Sequence, residues 1–415
     1  MTTLLLAAAM LPPIAPHLDH ASLNGALTGV SVRNAEGEVV FEQMGDTRLI
    51  PASNQKILSV LYALEKLGPD FQGEIRVWET EYGPTVSALG TPGVTIEQLR
   101  ELGQGGKGGT VRVHQAFAPL IPPTWEWDDL PFSYAGRISA WGVNNQRFEV
   151  FAEKGALLPL DPALKQIRIL RGPPVGPVNV RLDVFTRRLY VNGELPENRI
   201  RIGHFAIPDP QLAATEAFRP GAYFVATDVL PPWRVPDRVF KTPPLSELAK
   251  LCLEDSDNIY AEQLLLMAAG HEKTLTPGAE YTEATARMQT FYTEEVGLTA
   301  DEIKSIDGSG MSRRNFVTPN ALTKVLHWAR SRPNFPVFER ALANSGEGTL
   351  ANRLQSVPFT GKTGTLTAVT CLSGYVKRPN GETWTVSLMT NHNIRPASEV
   401  RQVHDQILRS LTNEP

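Results

Sequence analysis

Three short groups of residues have the types and the order that acyl transfer to a serine needs. Ser53 and Lys56 lie in "PASNQK" before an apolar-periodic stretch, Ser256 and Asn258 lie in "EDSDNIYAE", and Lys362 begins "KTGT". A lysine three positions after a serine faces the same side of a helix start, and its neutral amine can remove the serine proton. The helix start also directs backbone N–H groups at the oxyanion that then forms. These residues predict Ser53 as a nucleophile and Lys56 as its general base.

Each of the three motifs by itself is weak evidence for acyl-serine chemistry. Ser53 could simply cap the helix that follows, since serine is preferred at that position. Ser-x-Asn also occurs at Ser22-Leu23-Asn24, whereas Lys-Thr-Gly occurs once. Only Ser256 gives the order Ser-x-x-Lys, Ser-x-Asn, Lys-Thr-Gly, which is typical of penicillin-binding proteins and class A β-lactamases. The trio favours an acyl-serine enzyme over a set of isolated caps and turns.

Longer stretches of the sequence resemble the class C low-molecular-mass penicillin-binding proteins, the family of D-alanyl-D-alanine carboxypeptidases and endopeptidases. These stretches are "PASNQK", "DSDNIYAEQLL", "DGSGMSRRNFVTP", "GEGTLANRL" and "GKTGTLTAVTCLSGYV". The resemblance implies an α/β (α+β) fold: a penicillin-binding, serine β-lactamase-like transpeptidase domain with a large, mostly β insert between the first and second motifs. It also implies a serine-type D-Ala-D-Ala carboxypeptidase or endopeptidase that acts on peptidoglycan stem peptides through an acyl-enzyme on Ser53 and is inhibited by β-lactams.

The resemblance also implies roles for the remaining motif residues. Ser256 passes a proton to the leaving amine, and Asn258 holds Lys56 or the backbone amide of the substrate. Lys362 supplies a positive field, and burial together with that charge favours a neutral Lys56 amine.

The substrate is expected to lie along the strand that carries the third motif, by addition to its edge. Thr363, Gly364 and Thr365 form this edge, and Thr363 and Thr365 are expected to bind the terminal carboxylate of the substrate. By resemblance, the oxyanion hole consists of the backbone N–H groups of Ser53 and Thr365.

Two charged residues are weaker candidates for substrate binding. The stretch "TWEWDDLPFSYAG" resembles the family's tryptophan-rich segment, in which an acid faces the free amine of the third stem residue; here that acid is Asp129. Arg313 in "DGSGMSRRN" is the nearest match to the arginine that partners it. The alternative reading is that Asp128 and Asp129 form a solvated acidic turn and that Arg313 is a solvated charge.

Two other functions share these motifs. A class A β-lactamase needs a deacylating glutamate in a Glu-x-x-Leu-Asn segment, which this sequence lacks. The long separation between Ser53 and Ser256 also leaves room for a whole inserted domain. A penicillin sensor that acylates without turnover, or a scaffold in the envelope, remains an alternative.

Composition excludes several further classes. The 415 residues contain 40 Lys and Arg against 44 Asp and Glu, so no broad basic surface is available for nucleic acid. The two cysteines, Cys252 and Cys371, are too few for a disulfide framework and are expected to be buried small hydrophobes. No Cys/His spacing indicates a metal site, and we predict no cofactor. The oligomeric state is not indicated.

The N-terminal segment, residues 1–21, is predicted to be a signal peptide or a disordered end. Its apolar run is far shorter than the roughly 20 residues that span a bilayer. It has an apolar region and small residues but no basic start or clean Ala-x-Ala site. With the chemistry above, it predicts an exported protein, periplasmic or associated with the cell envelope, without an integral membrane span.

The rest of the chain divides into three predicted segments. Residues 22–72 form the first part of the peptidase domain, with a hairpin and the helix at Ser53. Residues 73–243 are rich in glycine, proline and short apolar strands and form the mostly β insert. Residues 244–415 form the second part, with helices, a hairpin at Asn380-Gly381 and a closing amphipathic helix.

Overall fold

The computed structural model describes residues 14–231 and 234–412. Most of the predicted N-terminal segment lies outside these residues; within them the chain begins with a short helix at Ala15–Leu18. In the described ranges, no helix combines the length and the apolar character needed to cross a bilayer.

Strands and helices are numbered in chain order. The strands are β1 Leu27–Arg33, β2 Val39–Gln43, β3 Glu74–Thr80, β4 Gly83–Ala88, β5 Thr110–Gln115, β6 Arg147–Glu153, β7 Ala156–Leu157, β8 Arg168–Arg171, β9 Asn179–Asp183, β10 Arg188–Asn192, β11 Ile200–Ala206, β12 Tyr223–Ala226, β13 Arg238–Lys241, β14 Ile303–Lys304, β15 Phe316–Val317, β16 Ala343–Asn344, β17 Phe359–Leu366, β18 Val369–Lys377 and β19 Thr383–Asn391. The helices are α1 Ala15–Leu18, α2 Gln55–Leu67, α3 Ile96–Leu102, α4 Pro210–Phe218, α5 Leu245–Leu253, α6 Asn258–Glu272, α7 Glu280–Val296, α8 Pro319–Ala329, α9 Phe335–Ala341 and α10 Ala397–Thr412.

A six-stranded antiparallel sheet, in the order β16-β17-β18-β19-β1-β2, forms the centre of the peptidase part. Its central strands β18 and β19 are buried along nearly their whole length, because helices cover both faces. On one face, alternate residues such as Cys371 and Tyr375 join the core of α2 and α5–α9. On the other face, Leu372 and Val376 pack with the apolar side of α10. This mixed helix and sheet arrangement confirms the predicted fold class.

The helix that follows Ser53 begins too late in the chain for Ser53 to be its N-cap residue. Residues Ala52–Asn54 form a 3₁₀ turn, and α2 begins at Gln55 without a side-chain cap. Ser53 therefore lies inside the turn, and the reading of Ser53 as a plain N-cap is wrong. Asn54 anchors the turn to the sheet by donating from Nδ2 to Ser373 Oγ at 2.7 Å.

The segment between α2 and α5 is mostly β, as predicted. It contains a five-stranded sheet, β12-β5-β4-β3-β13, and two three-stranded sheets, β8-β10-β9 and β11-β6-β7. One apolar core around the buried Trp141 comes entirely from this segment. The segment's two ends are hydrogen-bonded together, since Gly73 N–H donates to Thr242 Oγ1 at 2.8 Å and Thr242 N–H donates to Gly73 O at 2.8 Å. The domain boundaries at 72 and 243 stay a prediction.

The C-terminal part matches the sequence pattern in most details. Thr318 caps α8 by accepting the N–H of Ala321, and α10 buries the predicted apolar face. Cys252 and Cys371 are buried and free. The hairpin predicted at Asn380-Gly381 is confirmed, but its loop is longer than two residues, because β18 ends at Lys377 and β19 begins at Thr383. That loop is closed by the Arg378 N–H bond to Glu382 O and the Gly381 N–H bond to Arg378 O.

Candidate active site

The amine of Lys56 lies at the centre of the predicted motifs. Its Nζ is 2.8 Å from Ser53 Oγ, 2.7 Å from Asn258 Oδ1 and 2.9 Å from the backbone oxygen of Ser309. The Lys56 side chain is fully buried, with 0% exposed. A neutral amine has two N–H donors and one lone pair. These match the two carbonyl oxygens and the one hydroxyl that surround it.

A buried loop places the Ser309 carbonyl against Lys56. Asp307 is fully buried and accepts the N–H groups of Gly310 at 2.8 Å and Ser312 at 2.6 Å. Its carboxylate also accepts the indole N–H of Trp125 at 2.9 Å. Asp307 therefore fixes the loop from within.

Glu262 on α6 holds the other side of this loop. Its carboxylate accepts the N–H groups of Gly308 at 2.8 Å and Ser309 at 2.7 Å. Burial and then the nearby charge of Asp307 raise the pKa of Glu262 to about 8. Sequence patterns missed Glu262, because a glutamate inside an apolar helix carries no motif.

Burial also lowers the pKa of Lys56, while the carboxylates of Glu262 and Asp307 oppose the effect. Two neighbouring ammonium groups repel each other, so the expected contribution of Lys362 to a neutral Lys56 amine stays a prediction. The amine of Lys362 is fully buried and donates only to Thr363 O, at 3.1 Å, among the described residues. Burial, followed by the charge of Lys56, lowers the pKa of Lys362 well below its ordinary value.

Ser256 and Asp257 lie in the turn before α6. Ser256 has φ 63°, in the left-handed region that a serine rarely adopts. Asp257 caps α6 by accepting the N–H groups of Ile259 and Tyr260. The insert holds the same carboxylate, because Asn145 Nδ2 donates to Asp257 Oδ1 at 3.0 Å and Arg147 pairs with Oδ2 at 2.8 Å. The second motif is thus held by contacts from the insert.

Strand β17 brings the third motif to Ser53. A side chain at Gly364 would place its Cβ 2.8 Å from Pro51 O and 3.1 Å from Ser53 N, so only glycine permits this approach without displacement. A cavity of about 290 Å³ lies at the junction. It is lined by Ser53, Ser256, Thr349, Arg353, Thr363, Thr365 and Arg401. The structure therefore brings together all three motifs.

The sequence as a whole matches one family model, described as the D-Ala-D-Ala carboxypeptidase 3 (S13) family, over residues 12–413. The chain belongs to this family. The resemblance and the serine-peptidase class predicted from the motifs are therefore confirmed.

Relatives and solved structures agree with this assignment. The chain is 27% identical to the D-alanyl-D-alanine carboxypeptidase of Actinomadura sp. strain R39, with 92% of this chain and 80% of the relative covered. Penicillin binding protein 4 of Haemophilus influenzae has the same fold, with a TM-score of 0.77, 22% identity, and 96% of this chain and 98% of that chain covered. Its complex with a β-lactam gives a TM-score of 0.73 at 21% identity, with 96% and 98% covered.

Asp129 and Arg313 are not among the residues that line the cavity at Ser53. Asp129 accepts the hydroxyl proton of Tyr134 at 2.7 Å, and the Tyr134 backbone oxygen accepts Asn258 Nδ2 at 3.0 Å. Tyr134 thus links Asp129 to Asn258 of the second motif. Arg313 is paired with Glu126 at 3.1 Å and donates to Thr367 O at 3.0 Å. Both side chains are partly exposed, so the solvated interpretation stays open and their roles in binding stay predictions.

The sequence motifs also missed several residues around the site. Arg353, Arg401 and Thr349 line the cavity, but no short pattern marks them. Asn145 and Arg147 hold Asp257 from a part of the insert that was interpreted only as strands. Within residues 14–231 and 234–412, no group of three or more His, Cys, Asp or Glu side chains is arranged to hold a metal ion.

Proposed function

We propose that this S13 peptidase cleaves peptidoglycan stem peptides at the bond after the penultimate D-alanine. The Ser53 hydroxyl attacks the carbonyl carbon while Lys56 takes its proton. Ser256 then delivers a proton to the leaving amine, which departs as free D-alanine or as a cross-linked neighbouring peptide. Water completes the cycle by hydrolysing the ester on Ser53.

The arrangement around Lys56 Nζ carries this proposal. Two carbonyl acceptors orient the two N–H groups of a neutral amine, so its lone pair is directed at Ser53 Oγ. Burial favours that neutral form. General-base assistance of this kind contributes typically about 10²–10⁴-fold in rate.

The substrate carbonyl is proposed to bind between α2 and β17. The close approach at Gly364 places strand β17 against the backbone amide of Ser53. The N–H groups of Ser53 and Thr365 form the proposed oxyanion hole, and the cavity between Thr363 and Thr365 receives the terminal carboxylate. β-Lactams are expected to acylate Ser53, which is consistent with the β-lactam complex of the Haemophilus structure.

The test of this function is D-alanine release by the purified protein from a stem pentapeptide, measured beside hydrolysis of penicillin. We expect release of D-alanine, a long-lived penicilloyl-enzyme and slow penicillin turnover. Rapid hydrolysis of penicillin without D-alanine release would establish the β-lactamase alternative. Stable acylation without peptide turnover would establish the sensor.

We propose that the protein works in the cell envelope, periplasmic or wall-associated, because peptidoglycan lies there. Fractionation of cells that express the full-length gene tests this location, and recovery of the protein only with the cytoplasm would contradict it.

Asp129 is proposed to contact the free side-chain amine of the third stem residue. A charge-assisted hydrogen bond in a partly desolvated groove contributes about 1.5–3 kcal/mol. We therefore expect Asp129→Ala to lower kcat/KM about tenfold or more for a stem peptide with that amine, and to leave penicillin acylation nearly unchanged.

Asp128→Ala is the matched control, because its exposed carboxylate lies beside Asp129 in the same turn. An equal loss on both ligands for Asp129→Ala would mean that the Asp129–Tyr134 contact only supports the fold around Asn258. Unchanged kinetics on both would remove Asp129 from binding.

A further inference from the structure

The insert contains a strained turn immediately before β6. Asn144, Asn145 and Gln146 have φ values of 50°, 50° and 55°, all in the left-handed region. This conformation is unfavourable for residues with a side chain and is rare in successive residues. Within residues 14–231 and 234–412, no other three successive non-glycine residues adopt it. Such strain persists only where surrounding contacts enforce it, and it is concentrated at functional sites.

One side of this left-handed turn is fixed to the insert itself. The N–H of Asn144 donates to Val94 O at 2.7 Å, and Asn144 Oδ1 accepts the N–H of Ile96 at 3.0 Å. The backbone oxygen of Gln146 accepts the N–H of Ile207 at 2.8 Å. These partners all belong to the insert, so the turn moves with the insert as one unit.

The other side of the turn contacts the beginning of α6 in the peptidase part. Asn145 Nδ2 donates to Asp257 Oδ1 at 3.0 Å, and Arg147, the residue after the turn, pairs with Oδ2 at 2.8 Å. Gln146 Oε1 also accepts Nε2 of Gln263 at 3.0 Å. Both oxygens of the Asp257 carboxylate are therefore bound from the insert, and its side chain is only 8% exposed.

Ser256, the residue before Asp257, depends on its backbone for its position. It has φ 63° and lines the Ser53 cavity, but its hydroxyl has no hydrogen-bond partner among the described residues. Asn258 is different, because its own side chain is held by Lys56 Nζ at 2.7 Å. Loss of the contacts at Asp257 should therefore displace Ser256 more than Asn258.

We propose that Asn145 and Arg147 are positioning residues that hold the Ser256 hydroxyl where it protonates the leaving amine. This inference rests on the proposed function. As the C–N bond breaks, the amine nitrogen takes the proton of Ser256 Oγ, and Ser256 recovers the proton that Lys56 took from Ser53. Disturbing Asn145 or Arg147 should slow cleavage when the leaving group needs a proton and spare it when the leaving group needs none.

The test compares two substrates that have the same acyl part. One is a stem peptide that ends in D-alanine, and the other is its thioester analogue, in which sulfur replaces the leaving nitrogen. A thiolate leaves without being protonated, so only the peptide requires the general acid. We expect Arg147→Gln to lower kcat/KM about 10- to 100-fold for the peptide but less than about threefold for the thioester. Arg147→Lys, which keeps the charge, should recover part of the loss.

Asn145→Gly provides a second variant in which the backbone is not strained. Glycine adopts the left-handed conformation readily, so this change removes the hydrogen bond to Asp257 and leaves the turn in place. We expect about a tenfold loss of kcat/KM on the peptide alone. Asn144→Gly is the matched control, because it relaxes the same turn but loses only the contact with Ile96 inside the insert. Thermal unfolding shows whether each variant is folded.

The two substrates separate positioning of Ser256 from support of the fold. An equal loss on peptide and thioester would overturn the inference, because the contacts at Asp257 would then act through Asn258 and Lys56 or through stability. Unchanged peptide kinetics in folded Arg147→Gln and Asn145→Gly would overturn it as well. A wild type that releases no D-alanine from the peptide would refute the proposed function, and the inference with it.

Discussion

Ser53→Ala is expected to abolish covalent labelling by a fluorescent penicillin and to lower D-alanine release by about 10⁴-fold or more. Ser53 Oγ is the only side-chain hydroxyl, among the described residues, that hydrogen-bonds to Lys56 Nζ. Ser309 contacts the amine through its backbone oxygen only. Ser59, on the same helix, uses its hydroxyl to bond Gly308 O at 2.6 Å. Neither Ser309 nor Ser59 is therefore placed to replace the nucleophile.

The labelling experiment needs a serine variant that leaves the site intact. Ser331→Ala suits this purpose, because Ser331 is exposed and its hydroxyl bonds only Trp328 O in the described structure. Gel fluorescence and the mass of the intact protein report the acyl adduct directly. An adduct of undiminished yield on Ser53→Ala would show that another residue is acylated.

Lys56→Arg is expected to reduce acylation by about 10²–10⁴-fold, the usual contribution of a general base. Arginine stays charged and has no lone pair to accept the proton of Ser53. It would also introduce a charge into a site where the lysine is fully buried. Stopped-flow measurement of acylation by a chromogenic β-lactam gives the rate.

The pH dependence of acylation supplies an independent check on Lys56. A general base acts in its deprotonated form, so the rate should rise with pH through the pKa of the amine. Burial lowers that pKa below the ordinary 10.5, so the rise should be complete at a lower pH than for an exposed lysine. Lys66→Arg on the same helix is the control, since that partly exposed lysine pairs with Glu272 at 3.2 Å and lies over the ring of Phe291. An arginine at 56 that acylates at nearly the wild-type rate would remove Lys56 from the role.

Local spacing predicted the contacts that a single helical turn creates. Ser53 and Lys56 are three positions apart, so their contact follows from helix geometry alone. The contact of Lys56 with Asn258 joins residues 202 positions apart, and only the resemblance to a known family anticipated it. The capping of α8 by Thr318 and the apolar face of α10 were likewise predictable, because each depends on neighbours in the chain.

The errors come from contacts that local sequence does not encode. Ser53 has the residue type of an N-cap, but the Asn54–Ser373 bond and the approach of β17 hold its turn in a 3₁₀ form. Arg401 lies on the polar side of an amphipathic helix. Periodicity shows which side of such a helix is buried but not what the opposite side faces, so the charge beside Thr365 could not be predicted.

The insert cannot be separated from the catalytic centre, although the chain path would permit its removal. Its two ends meet at the paired hydrogen bonds between Gly73 and Thr242, so a short linker could close the gap left by a deletion. A minimal enzyme made in this way would lose Arg147 and Asn145, which hold Asp257, and Trp125, which bonds Asp307. The present active site is therefore a composite of both parts.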